Sequence, residues 1–346
     1  IKNKYGDESA AYGLQLVKVA DLMIKVGRYK EAEENMNIAL KNIRKDGSKN
    51  SLEYANALST IAKIYGIFGL YDEARRVLRR SERIFKRIGI EDMSQRAQSI
   101  EELAFLYIRL GEYAETEEIL NRLLEEKSQK FGGENRRLIQ PLNQLGLLEL
   151  IKGDYSKCSN FLSRAESISK KIYGDQAIRT AENYKLQAEY FTSIGDYERA
   201  ESYIDRVIAI QEKVLGENHV ALGQSYVQKA LIKFYEDSGH AEQSVALLEK
   251  AKKIMAQNFD NRHPLYAEVL KTIGVVYVEQ AKYQEAFDLL NEANEIWLEK
   301  LSDRNINSAF IYSLLGDIYA NFKEFDQAED NYKKAENIYK KRLSKS

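Results

Sequence analysis

The sequence predicts an all-α fold of the solenoid class, and three observations carry this prediction. A short motif, "GDYSKC" at 153–158 and "GDYERA" at 195–200, recurs after 42 residues. The stretches between such motifs carry apolar residues at the i, i+3, i+4 spacing of an amphipathic helix. The chain contains only two prolines, so few positions interrupt a helix. A fixed period of about 20 to 50 residues is typical of repeat arrays in which each unit packs against its neighbours.

The motif marks eight turns along the chain. Five copies follow one another at 42-residue intervals, the sixth begins two residues late, and the last two resume the 42-residue step. The copies begin at Gly27, Gly69, Gly111, Gly153, Gly195, Gly239, Ala281 and Lys323. Because one unit repeats through the sequence, we predict a single domain over residues 1–346, built from about eight helix-turn-helix units.

Each unit is predicted to be two amphipathic helices joined by a tight turn. In the second unit, Leu58, Ile61 and Tyr65 precede the turn at helical spacing, and Ala74 and Leu78 follow it. Glycine suits the turn because it adopts positive φ at a helix end without steric cost, and the polar residue after it helps to start the next helix. The aromatic residue two positions after the turn glycine is expected to wedge between helices: Tyr29, Tyr71, Tyr113, Tyr155, Tyr197, Tyr283 and Phe325.

Small residues recur at two further positions of the unit, where we expect the two helices to cross closely. On the first helices they are Ala62, Ala104, Gly146, Ala188, Gly274 and Gly316. On the second helices they are Ala32, Ala74, Ala200, Ala286 and Ala328. A larger side chain there would force the helices apart, and overpacking of this kind costs roughly 1–3 kcal/mol.

Together, the small residue, the aromatic residue, the "GxYxxA" turn and the later alanine resemble the tetratricopeptide repeat (TPR). The 42-residue period, the longer second helix and linkers such as "LGENHV" and "NRHPLYAEVL" are similar to the kinesin-light-chain type of this repeat. The resemblance covers almost the whole chain and implies a right-handed superhelix whose inner wall is made mainly by the first helices. The sixth unit departs from the pattern, since Ala241 replaces the aromatic residue and two extra residues around "KFYEDSG" lengthen its first helix or its turn.

In the TPR family, concave positions of the first helices bind extended or helical peptides, and the resemblance implies the same role for the corresponding positions here. These candidate binding residues are Asn56, Ser59, Lys63, Gln98, Glu101, Glu102, Arg109, Gln140, Asn143, Gln144, Leu147, Glu182, Lys185 and Glu189. Amides, hydroxyls and mixed charges can bond a peptide backbone and pair with its side chains. The alternative is that these residues are simply the solvated face of amphipathic helices.

Two features of better-known relatives are missing from the sequence. The asparagine pairs of the kinesin-light-chain groove are mostly absent, with "NQLG" at 143–146 coming closest, so cargo recognition of that kind is not carried over. A clamp for a C-terminal carboxylate would need cations on adjacent first helices, but the acidic Glu101 and Glu102 lie between Lys63 and Lys185. No such clamp is predicted.

Catalysis, cofactors and metals are not indicated. His219, His240 and His263 are too far apart for a helical metal site and are expected to be solvent-facing loop residues. Cys158 stands at a small-residue position of a second helix, where core packing explains it better than nucleophilic catalysis. Trp297 is expected to pack against the next unit. We therefore predict a protein that is not an enzyme.

Charge and hydropathy limit the classes of binding partner that the sequence predicts. The formal net charge is −1, which gives no overall electrostatic attraction for nucleic acid. No run of about 18 apolar residues exists, so a membrane partner is not predicted either. We predict a cytoplasmic protein, although the absence of an initiator methionine leaves export open.

Three functional hypotheses remain open at this point. The leading one is a protein-interaction scaffold that binds a peptide or partner protein in the concave groove. The second is a sensor or regulatory module of a larger effector, such as a protease, kinase or transcription regulator, whose catalytic part lies outside these residues. The third is self-association through the last helix, which still presents Tyr332, Ala335, Ile338 and Tyr339. A further segment covering that helix is favoured over a second copy.

Overall fold

The structure is a computed structural model that describes residues 8–25, 28–45, 50–67, 71–90, 96–110, 113–237, 240–259, 261–300 and 306–343. Within these ranges it contains sixteen α-helices and one short 3₁₀ helix, and no strand. The predicted all-α fold of paired helices is confirmed. The chain divides into two compact units, residues 1–133 and residues 134–345, which are described separately.

The first unit contains three pairs of antiparallel helices. They are α1 (Ala10–Lys25) with α2 (Tyr29–Lys45), α3 (Leu52–Ile67) with α4 (Tyr71–Arg87), and α5 (Ala97–Leu110) with α6 (Tyr113–Phe131). Its core includes Tyr54, Leu58 and Phe85, which are almost fully buried between α3 and α4. The turn glycines predicted at Gly27, Gly69 and Gly111 lie outside the described residues.

The second unit contains five further pairs after a 3₁₀ helix at Arg136–Leu138. They are α7 (Ile139–Lys152) with α8 (Tyr155–Tyr173), α9 (Ile178–Ser193) with α10 (Tyr197–Leu215), α11 (Val220–Glu236) with α12 (Ala241–Asn258), α13 (Pro264–Glu279) with α14 (Tyr283–Lys300), and α15 (Ile306–Asn321) with α16 (Phe325–Leu343). Odd-numbered helices are therefore the first helices of the repeats, and even-numbered helices are the second.

The turns at Gly153 and Gly195 have the predicted geometry. Their φ angles are 77° and 76°, in the left-handed region that glycine adopts without strain. In each turn the next backbone N–H donates back to the first helix, from Asp154 to Glu149 O and from Asp196 to Phe191 O, both at 2.9 Å. The same two aspartates cap the second helices, since each carboxylate accepts a hydrogen bond from the backbone N–H three residues later at 3.1 Å.

The last two described turns keep this conformation without a glycine. Ala281 and Lys323 have φ angles of 57° and 63°, and the same backbone bonds run from Lys282 to Tyr277 O and from Glu324 to Tyr319 O at 2.9 Å. For residues with a Cβ atom this region costs roughly 1–2 kcal/mol. These two turns therefore hold backbone strain that the glycine turns do not.

Glycine substitution at these two positions is expected to stabilise the fold. Ala281→Gly and Lys323→Gly should each raise the free energy of unfolding by about 0.5–1 kcal/mol, because relief of strain exceeds the added entropy of the unfolded chain. Ala209→Gly, at an exposed position inside α10, is the control and should lower it by about 1 kcal/mol. Urea denaturation measures all three, and a loss of stability for Ala281→Gly equal to that of the control would contradict the interpretation.

The small residues lie where the paired helices approach most closely. Ala62, Ala104 and Ala188 on the first helices are at most 2% exposed. A Cβ atom added at Gly146 would lie only 2.5 Å from Leu162 Cδ2, and one added at Gly274 would lie 2.8 Å from Leu290 Cδ2. The predicted close crossing within each repeat is confirmed.

The prediction that the aromatic residue after the turn wedges between helices is wrong for two repeats. Tyr155 is 42% exposed and Phe325 is 67% exposed. This residue is the first of the second helix, so its ring lies at the end of the hairpin and is covered only where a neighbouring side chain reaches it. Phe322 reaches Tyr283 in this way, edge to face at 6.5 Å.

The extra length in the sixth repeat lies partly in its first helix. Helix α11 has 17 residues, whereas the other first helices have 14 to 16. Gly239, the predicted turn residue of this repeat, lies outside the described residues. Ala241, which replaces the aromatic residue, is 4% exposed and begins α12.

Candidate functional site

The first helices of the second unit form its inner wall. Consecutive first helices, from α7 to α15, contact one another directly, whereas consecutive second helices of residues 134–345 make no comparable contact. Side chains bridge the first helices: Asn183 Nδ2 donates to Asn143 Oδ1 at 2.6 Å, and Gln228 Nε2 donates to the Lys185 carbonyl at 3.0 Å. Because the first helices lie closer together than the second, the row curves towards them. We call the solvent-facing side of α7, α9, α11, α13 and α15 the inner face.

Lys185 occupies the middle of the inner face on α9. Its side chain is half-buried, and burial lowers the pKa of its ammonium group, although Glu189 and Glu182 act in the opposite direction. No hydrogen bond or ion pair joins Lys185 Nζ to any residue of the described ranges. Partial desolvation raises the pKa of Glu182. The inner face thus holds one desolvated cation between two carboxylates of the same helix.

Two of the predicted binding residues are buried inside the fold. Asn143 is 6% exposed and accepts a hydrogen bond from Asn183, whose own Oδ1 accepts one from Ser169 Oγ at 2.5 Å. Ser59 is 1% exposed, and its hydroxyl contacts Ala55 O at 3.3 Å and Ser81 Oγ at 3.2 Å. Both side chains connect neighbouring helices.

The other predicted residues of the second unit are open to solvent along the inner face. Gln140, Glu182 and Glu189 are exposed, and Gln144, Leu147 and Lys185 are half-buried. The structure therefore brings these six side chains to the same face of α7 and α9. Whether they contact a ligand stays a prediction.

In the first unit, two of the predicted residues form ion pairs with residues outside the predicted set. Lys63 Nζ lies 3.4 Å from Asp21 Oδ1, and Lys127 Nζ donates to Glu101 Oε1 at 2.9 Å. Asn56 is exposed, whereas the side chains of Gln98 and Arg109 lie outside the described residues.

The carboxyl group of Glu102, in the first unit, is strongly perturbed by its surroundings. Burial raises the pKa of Glu102 to about 7; Lys63 lowers it, and the negative charges of Glu101 and Asp21 raise it further. Asp21, Lys63 and Glu102 come from α1, α3 and α5, so the cation of α3 is shared by carboxylates of the first helices before and after it.

Sequence reasoning missed the aromatic part of the inner face. Phe310, on α15, is 41% exposed and stands at the repeat position of Gln140 and Glu182. Lys271, the repeat equivalent of Lys185, forms an ion pair with Glu268 and lies 5.9 Å from the centre of the Phe310 ring. Alignment of the last two repeats with the earlier ones, across the two-residue insertion of the sixth repeat, would have identified these residues.

One of the three histidine predictions is wrong. His219 is exposed and caps α11, as a loop residue would. His263 is only 4% exposed and stacks on Phe259, with ring centres 3.8 Å apart. Its Nδ1 accepts the backbone N–H of Leu265 at 3.0 Å. His263 is buried because the cap holds its ring beneath the end of α12.

Cys158 has the buried environment that the sequence predicted. It is fully buried, and burial raises the pKa of its thiol to about 12. The thiol therefore stays protonated at neutral pH, which disfavours nucleophilic chemistry. Among the described residues, no group of three or more His, Cys, Asp or Glu side chains is placed to hold a metal ion. In the same part of the chain, no helix is long and apolar enough to cross a membrane.

Comparison with solved structures shows similar folds. A Rap protein complexed with competence and sporulation factor shares 15% identity over 97% of this chain and 100% of its own, with a TM-score of 0.60. The STAND signal transduction ATPase of Pyrococcus horikoshii, which has a TPR sensor, shares 16% identity over 90% of this chain and 41% of its own, with a TM-score of 0.53. A putative kinesin light chain of Podosopora anserina with nearly identical TPR-like repeats shares 22% identity over 60% of this chain and 98% of its own, with a TM-score of 0.48.

The family model adds evidence from the sequence itself. No curated protein matches the chain significantly. The model of the tetratricopeptide repeat matches residues 13–87, 95–171, 138–213, 227–299 and 282–341. These matches span both compact units and most of the chain, and the structure places a helix pair at each of the eight predicted repeats. The chain belongs to the tetratricopeptide repeat family.

Proposed function

We propose that the inner face of α7, α9 and α11 binds an extended segment of a partner protein. The repeat fold is suited to protein interaction and is typically a non-catalytic scaffold. The observation that carries the proposal is Lys185, a half-buried ammonium group on the inner face to which no described residue is paired. A carboxylate supplied by a partner would compensate for its desolvation.

The side chains around Lys185 suggest the charge pattern of the bound segment. Glu182 and Glu189 lie about one turn away on either side of Lys185 along α9. A segment with an acidic residue between basic residues would therefore complement all three charges. Such complementarity mainly sets specificity and the rate of association.

Apolar surface next to these charges can supply affinity. Leu147, Leu186 and Leu231 are half-buried on α7, α9 and α11, so each keeps part of its surface open on the inner face. Burial of apolar area gives roughly 25 cal/mol per Å² before the costs of association. A mixed face of this kind is typical of protein interfaces, which combine apolar contacts with polar groups.

Charge reversal at Lys185 tests the site. A partner captured with the full chain is first identified, and its affinity is then measured by isothermal titration. Lys185→Glu should weaken binding at least about tenfold, because it leaves three adjacent carboxylates opposite an acidic residue. Lys253→Glu, an exposed lysine on the second helix α12, makes the same charge change and should leave the affinity within about twofold. Equal losses of affinity in Lys185→Glu and Lys253→Glu would overturn the proposal.

A stability measurement separates binding from packing at this residue. Lys185→Met removes a desolvated charge, so it should raise the free energy of unfolding by up to about 1 kcal/mol while weakening partner binding. Thermal and urea unfolding measure the first effect. If Lys185→Met lowered stability, Lys185 would be a packing residue and the binding role would lose its basis.

A second proposal concerns the context of the chain. The STAND ATPase shows that a TPR array of this fold occurs as the sensor of a larger protein. We infer as an alternative that the inner face reports ligand binding to an effector encoded in the same open reading frame. Sequencing of the complete reading frame checks this, and a frame without any further domain would contradict it.

A further inference from the structure

A second concave region lies between the second helices of the last two repeats. A cavity of about 470 Å³ is bounded by α14 and α16, and α15 also contributes to its lining. Its polar and aromatic groups include Asn294, Tyr312, Tyr319, Asp326, Asp330 and Lys334. The volume lies within the range of about 300–1,000 Å³ that small ligands and side chains occupy in proteins. None of these residues belongs to the face of α7, α9 and α11.

The cavity already holds a cation of the chain itself. Lys334 Nζ lies 2.6 Å from Asp330 Oδ2 and 5.6 Å from the centre of the Tyr312 ring. The Lys334 and Asp330 side chains are 49% and 62% exposed, so a competing group can reach both. The hydrogen bond to Asp330 raises the pKa of Lys334. A carboxylate together with an aromatic ring is the combination that stabilises ammonium and guanidinium groups.

Two further groups of the cavity have a polar atom to which no described residue is paired. Asn294 is 6% exposed, and its Oδ1 is buried without a hydrogen bond in the described part of the chain. Asp326 is exposed and forms no ion pair with any described residue. Buried polar atoms are nearly always hydrogen-bonded, so an unpaired amide oxygen beside a cavity indicates a missing donor. A rotation of the Asn294 amide would present this oxygen to a ligand.

We propose that this cavity binds a guanidinium or alkylammonium group, carried by an arginine or lysine side chain of a partner or by a free polyamine. The N–H groups of the ligand donate to Asp326, Asp330 and Asn294, and its planar or methylene part lies against Tyr312 and Tyr319. Lys334 is displaced on binding, since it occupies the same carboxylate. The site does not depend on the inner-face proposal, because it lies on other helices and takes a ligand of opposite charge.

Calorimetric titration of the full chain with defined probes tests the ligand class. The probes are Ac-Gly-Arg-Gly-NH₂, its citrulline analogue Ac-Gly-Cit-Gly-NH₂, and spermidine. Citrulline keeps the shape of arginine but is neutral, so it should bind at least about tenfold more weakly than arginine. Tighter binding of the arginine peptide identifies a protein partner, and tighter binding of spermidine identifies a free polyamine. Equal binding of the arginine and citrulline peptides would overturn the proposal.

Matched variants test the location. Lys334→Ala removes the internal competitor and should tighten binding about two- to fivefold, whereas Asp330→Asn should weaken it at least about tenfold. Lys333→Ala and Glu329→Gln each remove a neighbouring ion pair of the same i,i+4 geometry that lies outside the cavity. Both variants should leave the affinity for the probes unchanged. All four substitutions affect exposed side chains of α16, and circular dichroism confirms that the variants stay helical. The proposal is wrong if neither the unsubstituted chain nor Lys334→Ala binds a cationic probe at millimolar concentration. It is also wrong if Lys333→Ala tightens probe binding as much as Lys334→Ala does.

Discussion

Replacement of Trp297 by alanine is expected to lower the free energy of unfolding by about 3–5 kcal/mol, the largest effect of any single substitution considered. Trp297, on α14, is 1% exposed and belongs to the core cluster that also contains Ile311 and Leu315 of α15. Its indole N–H donates to the Pro264 carbonyl at 3.3 Å. The substitution therefore opens a cavity and leaves the Pro264 carbonyl without this donor. The sequence predicted that Trp297 packs against the next repeat, and its burial in a cluster that includes residues of that repeat is what makes the loss large.

Circular dichroism during urea unfolding measures this effect, because Trp297 is the only tryptophan and its fluorescence disappears with the substitution. Leu298→Ala, at the adjacent residue, is the control: Leu298 is 40% exposed, and its truncation should cost less than about 1 kcal/mol. Similar losses for the two variants would show that α14 is not anchored through Trp297.

The contribution of Glu102 to the stability of the chain should fall as the pH rises from 5 to 8. The pKa of Glu102 is raised from 4.5 to about 7 in the folded chain. Between these values the folded state holds a proton that the unfolded state has released, so stability from this group is present at low pH and is lost as the pH rises. Above pH 7 the folded chain carries a desolvated carboxylate near Glu101 and Asp21, with Lys63 as the opposing charge.

Glu102→Gln should therefore raise the free energy of unfolding at pH 8 by about 1–2 kcal/mol and should have little effect at pH 5. Urea unfolding at both pH values gives the comparison. Glu101→Gln is the matched control and should lower the free energy of unfolding. It removes the ion pair with Lys127, whose side chain is only 5% exposed. A stabilisation by Glu102→Gln that was equal at pH 5 and pH 8 would contradict the proposed titration.

The repeat period predicted most of the fold because the same local sequence pattern occurs eight times along the chain. Turn position, helix pairing and the buried small residues all follow from the spacing of Gly153 and Gly195 and of the alanines near them. The aromatic position was less predictable, since the exposure of Tyr155 and Phe325 depends on whether a neighbouring side chain covers the hairpin end. His263 was misplaced for the same reason, because its burial results from stacking on Phe259 of another helix.

The candidate site could be predicted only as a face of the array. Helical register placed Lys185 and Glu182 correctly on the solvent side of α9. It could not show that Asn143 turns inward to Asn183, because that hydrogen bond joins two different repeats. The lowered pKa of Lys185 was equally inaccessible from sequence, since desolvation depends on the helices packed on both sides.

Site-specific photocrosslinking to the identified partner tests the inner-face interaction most directly. A photoreactive amino acid is placed at Gln140 or Glu182 on the first helices, and at Ser163 or Ala209 on the second helices, all four positions being exposed. Binding along the inner face predicts crosslinked partner from Gln140 and Glu182 and none from Ser163 and Ala209. Crosslinks from the second-helix positions alone would contradict it.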